Sequence, residues 1–262
     1  MTTPLILLTN DDGIHAPGLR VLAESLASLG EVVVYAPDRQ RSAVGHGVSL
    51  HQPLRVTETA PGWYMVDGTP SDCLILAVRG LLGRRPQLVV SGINAGANLG
   101  DDVTYSGTVA GAFEGMLLGL PAFAISNIGP RPRHYEAAGR VARLLAEHIL
   151  EHGLPGDVML NVNLPDVPFD SLRGIVFTCM GRRNYQDEII TRKDPRGGAY
   201  YWIGGAQPDH FTTAGSDFEA IENGQVSVTP LLRDLTAHAA LETLRERPLS
   251  LRQAASDCDC VE

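Results

Sequence analysis

Positive charge is scarce in this sequence: 21 Lys and Arg stand against 30 Asp and Glu, a formal net charge of −9. That balance argues against broad electrostatic binding to a nucleic-acid polymer or an anionic membrane, so a phosphate ligand must be held by a local device. Cysteine is scarce too. Cys73, Cys179, Cys258 and Cys260 form no paired CxxC framework, which suits a reducing compartment rather than a disulfide scaffold. The Cys258-Asp259-Cys260 tail reads as a frayed acidic terminus, with metal binding as the other reading. Long apolar runs are missing as well. The run at residues 5–8 is broken by Asp11 and follows no basic region, so it is read as neither a signal peptide nor a membrane span, and the expected location is cytoplasmic. Neither a P-loop with its Lys nor a GxGxxG fingerprint occurs, so nucleoside triphosphate and dinucleotide sites find no support.

What is present begins with LILLTNDDG at residues 5–13, a buried strand that stops at Thr9, Asn10 and the adjacent acids Asp11 and Asp12. In open α/β sheets the ligand crevice lies at the carboxyl ends of the strands. Asp12-Gly13 can be an ordinary turn. Two neighbouring carboxylates, however, repel each other unless a cation or hydrogen-bond donors compensate, which points towards a hard metal such as Mg²⁺ or Mn²⁺.

Helical spacing at Leu19, Leu22, Ala23 and Leu26 predicts a helix over residues 17–29, and the β-branched run EVVVYA predicts a parallel strand covered on both faces. The following loop, PDRQRSAVGHG at residues 37–47, carries Asp38, Arg39, Arg41, Ser42 and His46 and should open at the same edge as the acids, either as part of a site or with solvated arginines. Strands are expected over residues 48–57 and 63–66, then a helix from Thr69 to near Gly83, a strand over 87–91, and the loop SGINAGANLGDDVTYSGTVAGA. Its Gly and Asn content cannot build a core strand or a stable helix. Ser106, Gly107 and Thr108 lead into an apolar helical face, and backbone N–H groups at such a helix start favour phosphate, although Ser106 or Thr108 can equally be a plain N-cap.

Further on, a strand is expected after Pro121, an amphipathic helix over residues 134–152 with Val141, Leu144, Leu145 and Ile149 inward, and strands over 158–164, 175–179 and 226–229. His148 and His152 read as exposed helix residues rather than a zinc pair. Residues 182–202 place Tyr185, Tyr200, Tyr201 and Trp202 around KDPRGG, a protruding hairpin whose aromatics seek a partner or wall a pocket. Short helices are expected over 216–222 and 235–244. The fold class implied is a three-layer, Rossmann-like α/β protein with a mainly parallel sheet: a single domain over residues 1–262, with an oligomerisation arm at 182–202 and a β-rich C-terminal appendage at 203–262.

LTNDDG, APDRQRSAVG, DGTPSDC, SGINAGANLGDDVTYSGTVAGA and SVTPL, in that order, closely resemble the SurE family, the stationary-phase survival nucleotidases. The resemblance covers most of the chain. It implies hydrolysis of nucleoside 5′- and 3′-monophosphates, and short polyphosphate in some members, with one divalent cation, Mg²⁺ or Mn²⁺. It further implies Asp11 and Asp12 as catalytic residues, Asp11, Asp12, Ser42 and Asn94 as metal ligands, and Asn98, Ser106, Gly107 and Thr108 on the phosphate side. An all-oxygen set of this kind suits Mg²⁺ or Mn²⁺ far better than Zn²⁺. The family's subunit exchange implies a homodimer or homotetramer. Two alternatives remain at this stage. An aspartyl-phosphate phosphatase also places Asp after a first strand, but with DxD spacing that NDD lacks, and a non-catalytic nucleotide-binding module would need no acid pair.

Overall fold

In the computed structural model, which describes residues 3–129, 131–184, 189–203, 209–211 and 213–246, the first apolar run forms β1 (Leu5–Thr9), buried along its whole length. Leu5 and Leu7 face one apolar cluster, and Ile6 and Leu8 face another. Alternation into two cores is what a strand covered on both faces requires. The chain continues as α1 (Pro17–Leu26), β2 (Glu31–Pro37), β3 (Val56–Ala60), β4 (Trp63–Val66), α2 (Pro70–Leu76), β5 (Leu88–Ala95), α3 (Gly107–Leu117), β6 (Ala122–Ile128), α4 (Tyr135–His152) and β7 (Val158–Pro165). Then follow β8 (Ile175–Phe177), β9 (Arg182–Asn184), β10 (Ile189–Lys193), β11 (Ala199–Ile203), β12 (Asp209–Phe211), α5 (Asp217–Glu222), β13 (Val226–Leu232) and α6 (His238–Arg245).

The large sheet has the order β3-β4-β2-β1-β5-β6-β7-β13-β8. Every pairing from β4 to β7 is parallel, while β3 and β13 run antiparallel to β4 and β7. Helices α1 and α4 cover one face through Leu19, Leu22, Val141 and Ile149, and α2 and α3 cover the other through Leu74, Val109 and Met116. The protein is therefore a three-layer, mainly parallel α/β fold. Connections leave β1 towards β2 on one side and reach β5 on the other, so the strand order reverses at β1. A crevice opens at the carboxyl ends of the strands where such a reversal occurs, and Asp11 and Asp12 stand there.

Local signals place most boundaries. Thr69 caps α2 and forms a capping box with Asp72, Ser106 caps α3, and Ser216 caps α5. The α-helix expected to reach Gly83 stops at Leu76, and the chain continues as a wider-wound turn over Ala77–Leu81. Residues 48–55 form no strand. Their backbone instead donates to carboxylates, Ser49 to Asp72 Oδ1 (2.9 Å) and Arg55 to Asp67 Oδ1 (2.7 Å). In α4 the inward face is also narrower in side-chain size than expected. Leu144 is 47% exposed, and Ala137, Ala138, Ala142 and Ala146 are buried in its stead. Gly139 explains this: a Cβ there would stand 2.2 Å from Ser25 Oγ of α1, so the two helices approach through small residues.

The arm is a hairpin of β10 and β11, in which Asp194 accepts from the N–H groups of Arg196 and Gly198, and its base is the short pair β9 and β12. Strand β13 then returns the chain to the large sheet, between β7 and β8. Tyr185, Cys258 and Cys260 lie outside the described residues. Among the described residues no helix is long and apolar enough to cross a membrane.

Candidate active site

The turn after β1 is closed by Asn10, whose side chain donates to the Gly13 carbonyl (3.0 Å) and accepts from the Gly13 N–H (3.2 Å). Gly13 has φ +97°, and a Cβ there would lie 3.1 Å from the Arg39 backbone, so glycine is required on both counts. That turn holds Asp11 inward. Its carbonyl accepts from the Arg41 N–H (2.7 Å) and its Oδ1 from the Thr108 hydroxyl. At Gly107 a Cβ would come within 2.8 Å of the Asp11 Cβ, so the missing side chain lets the carboxylate sit against the start of α3. Burial pushes the Asp11 carboxyl up to about 6, with the Thr108 hydroxyl opposing and the Asp12 charge adding to the rise. Asp12 is half-buried and its Oδ2 accepts from the Ala95 N–H (3.1 Å). Its carboxyl is also raised by burial, against the effect of that N–H.

Of the loop after β2, Arg41 is structural: it holds Asp38 (3.2 Å) and donates to the Asp67 carbonyl (3.1 Å), whereas Arg39 is exposed beside Asp38. Ser42, next to the Arg41 that donates to Asp11, is exposed and accepts from Gln40 (2.9 Å). The loop is pinned to the other side of the site by the Gly45 N–H, which donates to the Tyr105 carbonyl (3.1 Å). At the end of β5 the register with β6 shifts between Gly92 and Asn94, the kind of irregularity that re-aims a side chain. Asn94 Nδ2 donates to the Gly96 carbonyl (3.0 Å), which commits the amide nitrogen and leaves Oδ1 as its ligand atom.

Asn98 is the centre of a buried amide network. Its side chain donates to Ser126 Oγ (2.8 Å) and its N–H to Asn163 Oδ1 (2.9 Å), while its carbonyl accepts from Asn161 (2.8 Å) and Asn163 (3.0 Å). Ser106 Oγ accepts from the Val109 N–H (3.0 Å), which caps α3. The structure thus joins Asp11, Gly107 and Thr108 directly and attaches Asp12 beside Asn94. Ser42 is reached through Arg41, and Asn98 holds the loop to β6 and β7. Sequence reasoning missed Ser126, Asn161 and Asn163. The signal was the alternate asparagines in VMLNVNLP, which put two amides on one face of an otherwise apolar strand. It also missed Asp217, which accepts from the N–H groups of Gly100 (2.8 Å), Gly181 (2.8 Å) and Phe218 (3.0 Å).

A family model described as "Survival protein SurE" matches residues 6–187. The chain belongs to the SurE family. It is 52% identical over 246 residues to the "5′-nucleotidase SurE" of Geobacter sulfurreducens, covering 94% of each chain. The "5′-nucleotidase SurE" of Pelobacter propionicus is 51% identical over 240 residues, which span 91% of this chain and 97% of that one. The crystal structure of the SurE protein from Aquifex aeolicus superposes with a TM-score of 0.83 at 42% identity, covering 93% of this chain and 99% of that chain. In this SurE-family chain, no group of three or more His, Cys, Asp or Glu side chains able to hold a metal ion occurs among the described residues. A cation at the acid pair would therefore complete its coordination with neutral oxygens.

Proposed function

We propose that this chain is a metal-dependent nucleotidase that hydrolyses nucleoside 5′-monophosphates to nucleoside and phosphate, with 3′-monophosphates and short-chain polyphosphate as further substrates. One observation carries the reading: the buried Asp11, with the half-buried Asp12 beside it, is docked against the N-terminus of α3, an arrangement that would let a cation and a phosphate share one wall. The printed names of the relatives support the nucleotide substrate.

The residues fit a hard divalent cation. Burial raises both carboxyls and the Asp12 charge raises Asp11 further, which is the condition a positive charge relieves, and the donors are oxygens. Asp11, Asp12, Ser42 and Asn94 would hold Mg²⁺ or Mn²⁺. When bound, the ion supplies Lewis-acid polarisation of the phosphoryl group and a more acidic water. The helix start at Ser106, Gly107 and Thr108 receives the non-bridging oxygens, as the helix dipole favours, and Asn98 keeps that loop in place. A carboxylate oxygen of Asp11 or Asp12 takes the proton of the attacking water. Water then attacks phosphorus in one displacement that breaks the bond to the ester oxygen and inverts the configuration, and the departing nucleoside oxygen takes up a proton from the carboxyl or from solvent. A phospho-aspartate route would retain it, and the adjacent acids lack that route's DxD spacing.

The whole chain, residues 1–262, acts as one domain, in the cytoplasm, as a homodimer or homotetramer in which the arm at 182–202 and the segment 203–262 contribute contacts. Neither a nucleic-acid polymer nor a membrane is a partner. The deciding experiment is phosphate release from nucleoside 5′- and 3′-monophosphates and polyphosphate with Mg²⁺, Mn²⁺ or chelator. Metal-stimulated release from the nucleotides is expected. Binding without any metal-stimulated release would leave a non-catalytic module.

A further inference from the structure

The nucleotidase reading takes Ser42 as a ligand and leaves open what holds so exposed a residue in place. Ser42 lies between two fixed points: the Arg41 N–H donates to the Asp11 carbonyl (2.7 Å), and the Gly45 N–H donates to the Tyr105 carbonyl (3.1 Å). Inside that span Ala43 has φ +56°, a left-handed conformation that is costly for any residue with a Cβ. Such strain persists only where the surroundings over-determine the backbone. Residues 42 to 44 are all exposed, so their own packing cannot supply that constraint. Tethers further along the loop must do so.

His46 is the first of them. Its Nε2 meets Oε2 of the buried Glu114 at 2.8 Å, and among the described residues that is the one hydrogen bond of the Glu114 carboxylate. A buried carboxylate stripped of its partner is costly, so the pair resists separation and this end of the loop goes where α3 carries Glu114. The ring also stands edge-on to Phe113, with centroids 5.5 Å apart. Both rings line a cleft of about 660 Å³ between α3 and β13, so His46 meets open space on its outer side and the carboxylate fixes its position. The capping box of α2 holds the next residues. Thr69 Oγ1 donates to the Gly47 carbonyl (2.8 Å) while it caps Asp72, and Asp72 Oδ1 accepts from the Ser49 N–H (2.9 Å).

We propose that His46 and Glu114 are positioning residues for the cation: their pair fixes the loop so that Ser42 keeps its hydroxyl turned to the acid edge. This rests on the ligand set of the nucleotidase reading. Neither residue touches metal or substrate; both act through residues 42 to 45. Breaking the pair therefore costs no more metal affinity than removing the Ser42 hydroxyl does, and the two losses do not add. A pair that served only the fold would change melting alone. A pair that touched the nucleotide would raise its KM even at saturating metal.

The test reads Mn²⁺ affinity of the full chain without nucleotide, from the free-ion signal in electron paramagnetic resonance, with thermal melting alongside. Ser42→Ala and His46→Ala should each weaken Mn²⁺ binding about three- to tenfold, and the two together no more than either alone. His46→Gln, whose amide nitrogen replaces Nε2 as a donor to Glu114, should recover most of the affinity. His46→Ala with Glu114→Met leaves no unpaired carboxylate, so melting should return towards wild type while the affinity stays weak; this variant carries the comparison if His46→Ala does not fold. With saturating Mn²⁺, His46→Ala should release phosphate from AMP with kcat within about threefold of wild type and KM unchanged. The proposal is overturned if the folded variants lacking the pair keep wild-type Mn²⁺ affinity, if their loss adds to that of Ser42→Ala, or if KM for AMP rises at saturating metal. It is equally overturned if the double variant regains affinity together with melting. A wild type that binds no Mn²⁺ at millimolar concentration overturns the metal site and the proposal together. A wild type that binds Mn²⁺ but releases no phosphate from AMP sinks the nucleotidase reading alone, and the affinities would still support the tether.

Discussion

The acid edge after β1 and the arm beyond β9 treat exposure in opposite ways. At the edge, Asp11, Asn98, Ser106 and Thr108 are polar and buried, and each has a hydrogen-bond partner in the protein. On the arm, Ile189, Tyr201, Trp202 and Ile203 are large, apolar and at least 60% exposed. Burying a charge costs free energy unless it is compensated, so the buried Asp11 beside Asp12 marks a candidate site. Exposed aromatics leave surface unburied and mark a place for a partner. The two regions meet at Asp217, whose carboxylate binds Gly100 of the site loop and Gly181 beside the arm, and at Asp101 and Asp102, which bind the Arg183 backbone N–H and guanidinium.

Asp12→Asn sharpens the contrast most. It keeps the volume and an oxygen for the Ala95 N–H, so phosphate release should fall about 10²- to 10³-fold while the melting temperature barely moves. Wild-type turnover in this variant would remove the acid edge from the chemistry. Asp217→Ala tests whether the two regions are separable. Three buried backbone N–H groups lose their acceptor, which should destabilise the fold by about 3 kcal/mol in urea unfolding and lower turnover as the loop at 98–102 loosens, with Asp217→Asn restoring part of both.

Asp11→Asn should act in the other direction on stability. The folded carboxyl is raised from 3.8 to about 6, so the folded chain binds the proton more tightly than the unfolded chain does. The stability this contributes is complete below the unfolded value and is lost as pH rises through about 6, leaving the ionised wild type penalised near neutrality. With chelator present, the variant should gain on the order of 2 to 3 kcal/mol over wild type at about pH 8 and close to nothing at about pH 4. A gain concentrated at the acid end, read from urea melts at the two pH values, would contradict the burial account. The smallest effect belongs to the arm. Tyr201→Ser with Trp202→Ser should shift stability by no more than about 0.5 kcal/mol, yet lower the mass seen by light scattering. An intact chain that is monomeric at working concentration would defeat the oligomer proposal.

Sequence alone determined the alternation of strands and helices, the burial of β1 and β2 on both faces, the caps at Thr69, Ser106 and Ser216, the hairpin around Asp194 and the placing of Asp11 and Asp12 at a strand's carboxyl end. Each is decided within a few residues, by side-chain period, by capping oxygens or by turn-forming glycines. Strand order decided the rest. The Thr108 hydroxyl reaches Asp11 across 97 positions, Asp217 reaches Gly100 across 117, and the asparagines of β7 meet Asn98 across 63 and 65. The cleft beside α3 exists because β13 returns to the sheet between β7 and β8 and faces that helix across a gap. No local rule specifies such pairings, since hydrophobic periodicity tells a strand which face to bury and leaves open which neighbour it lies beside.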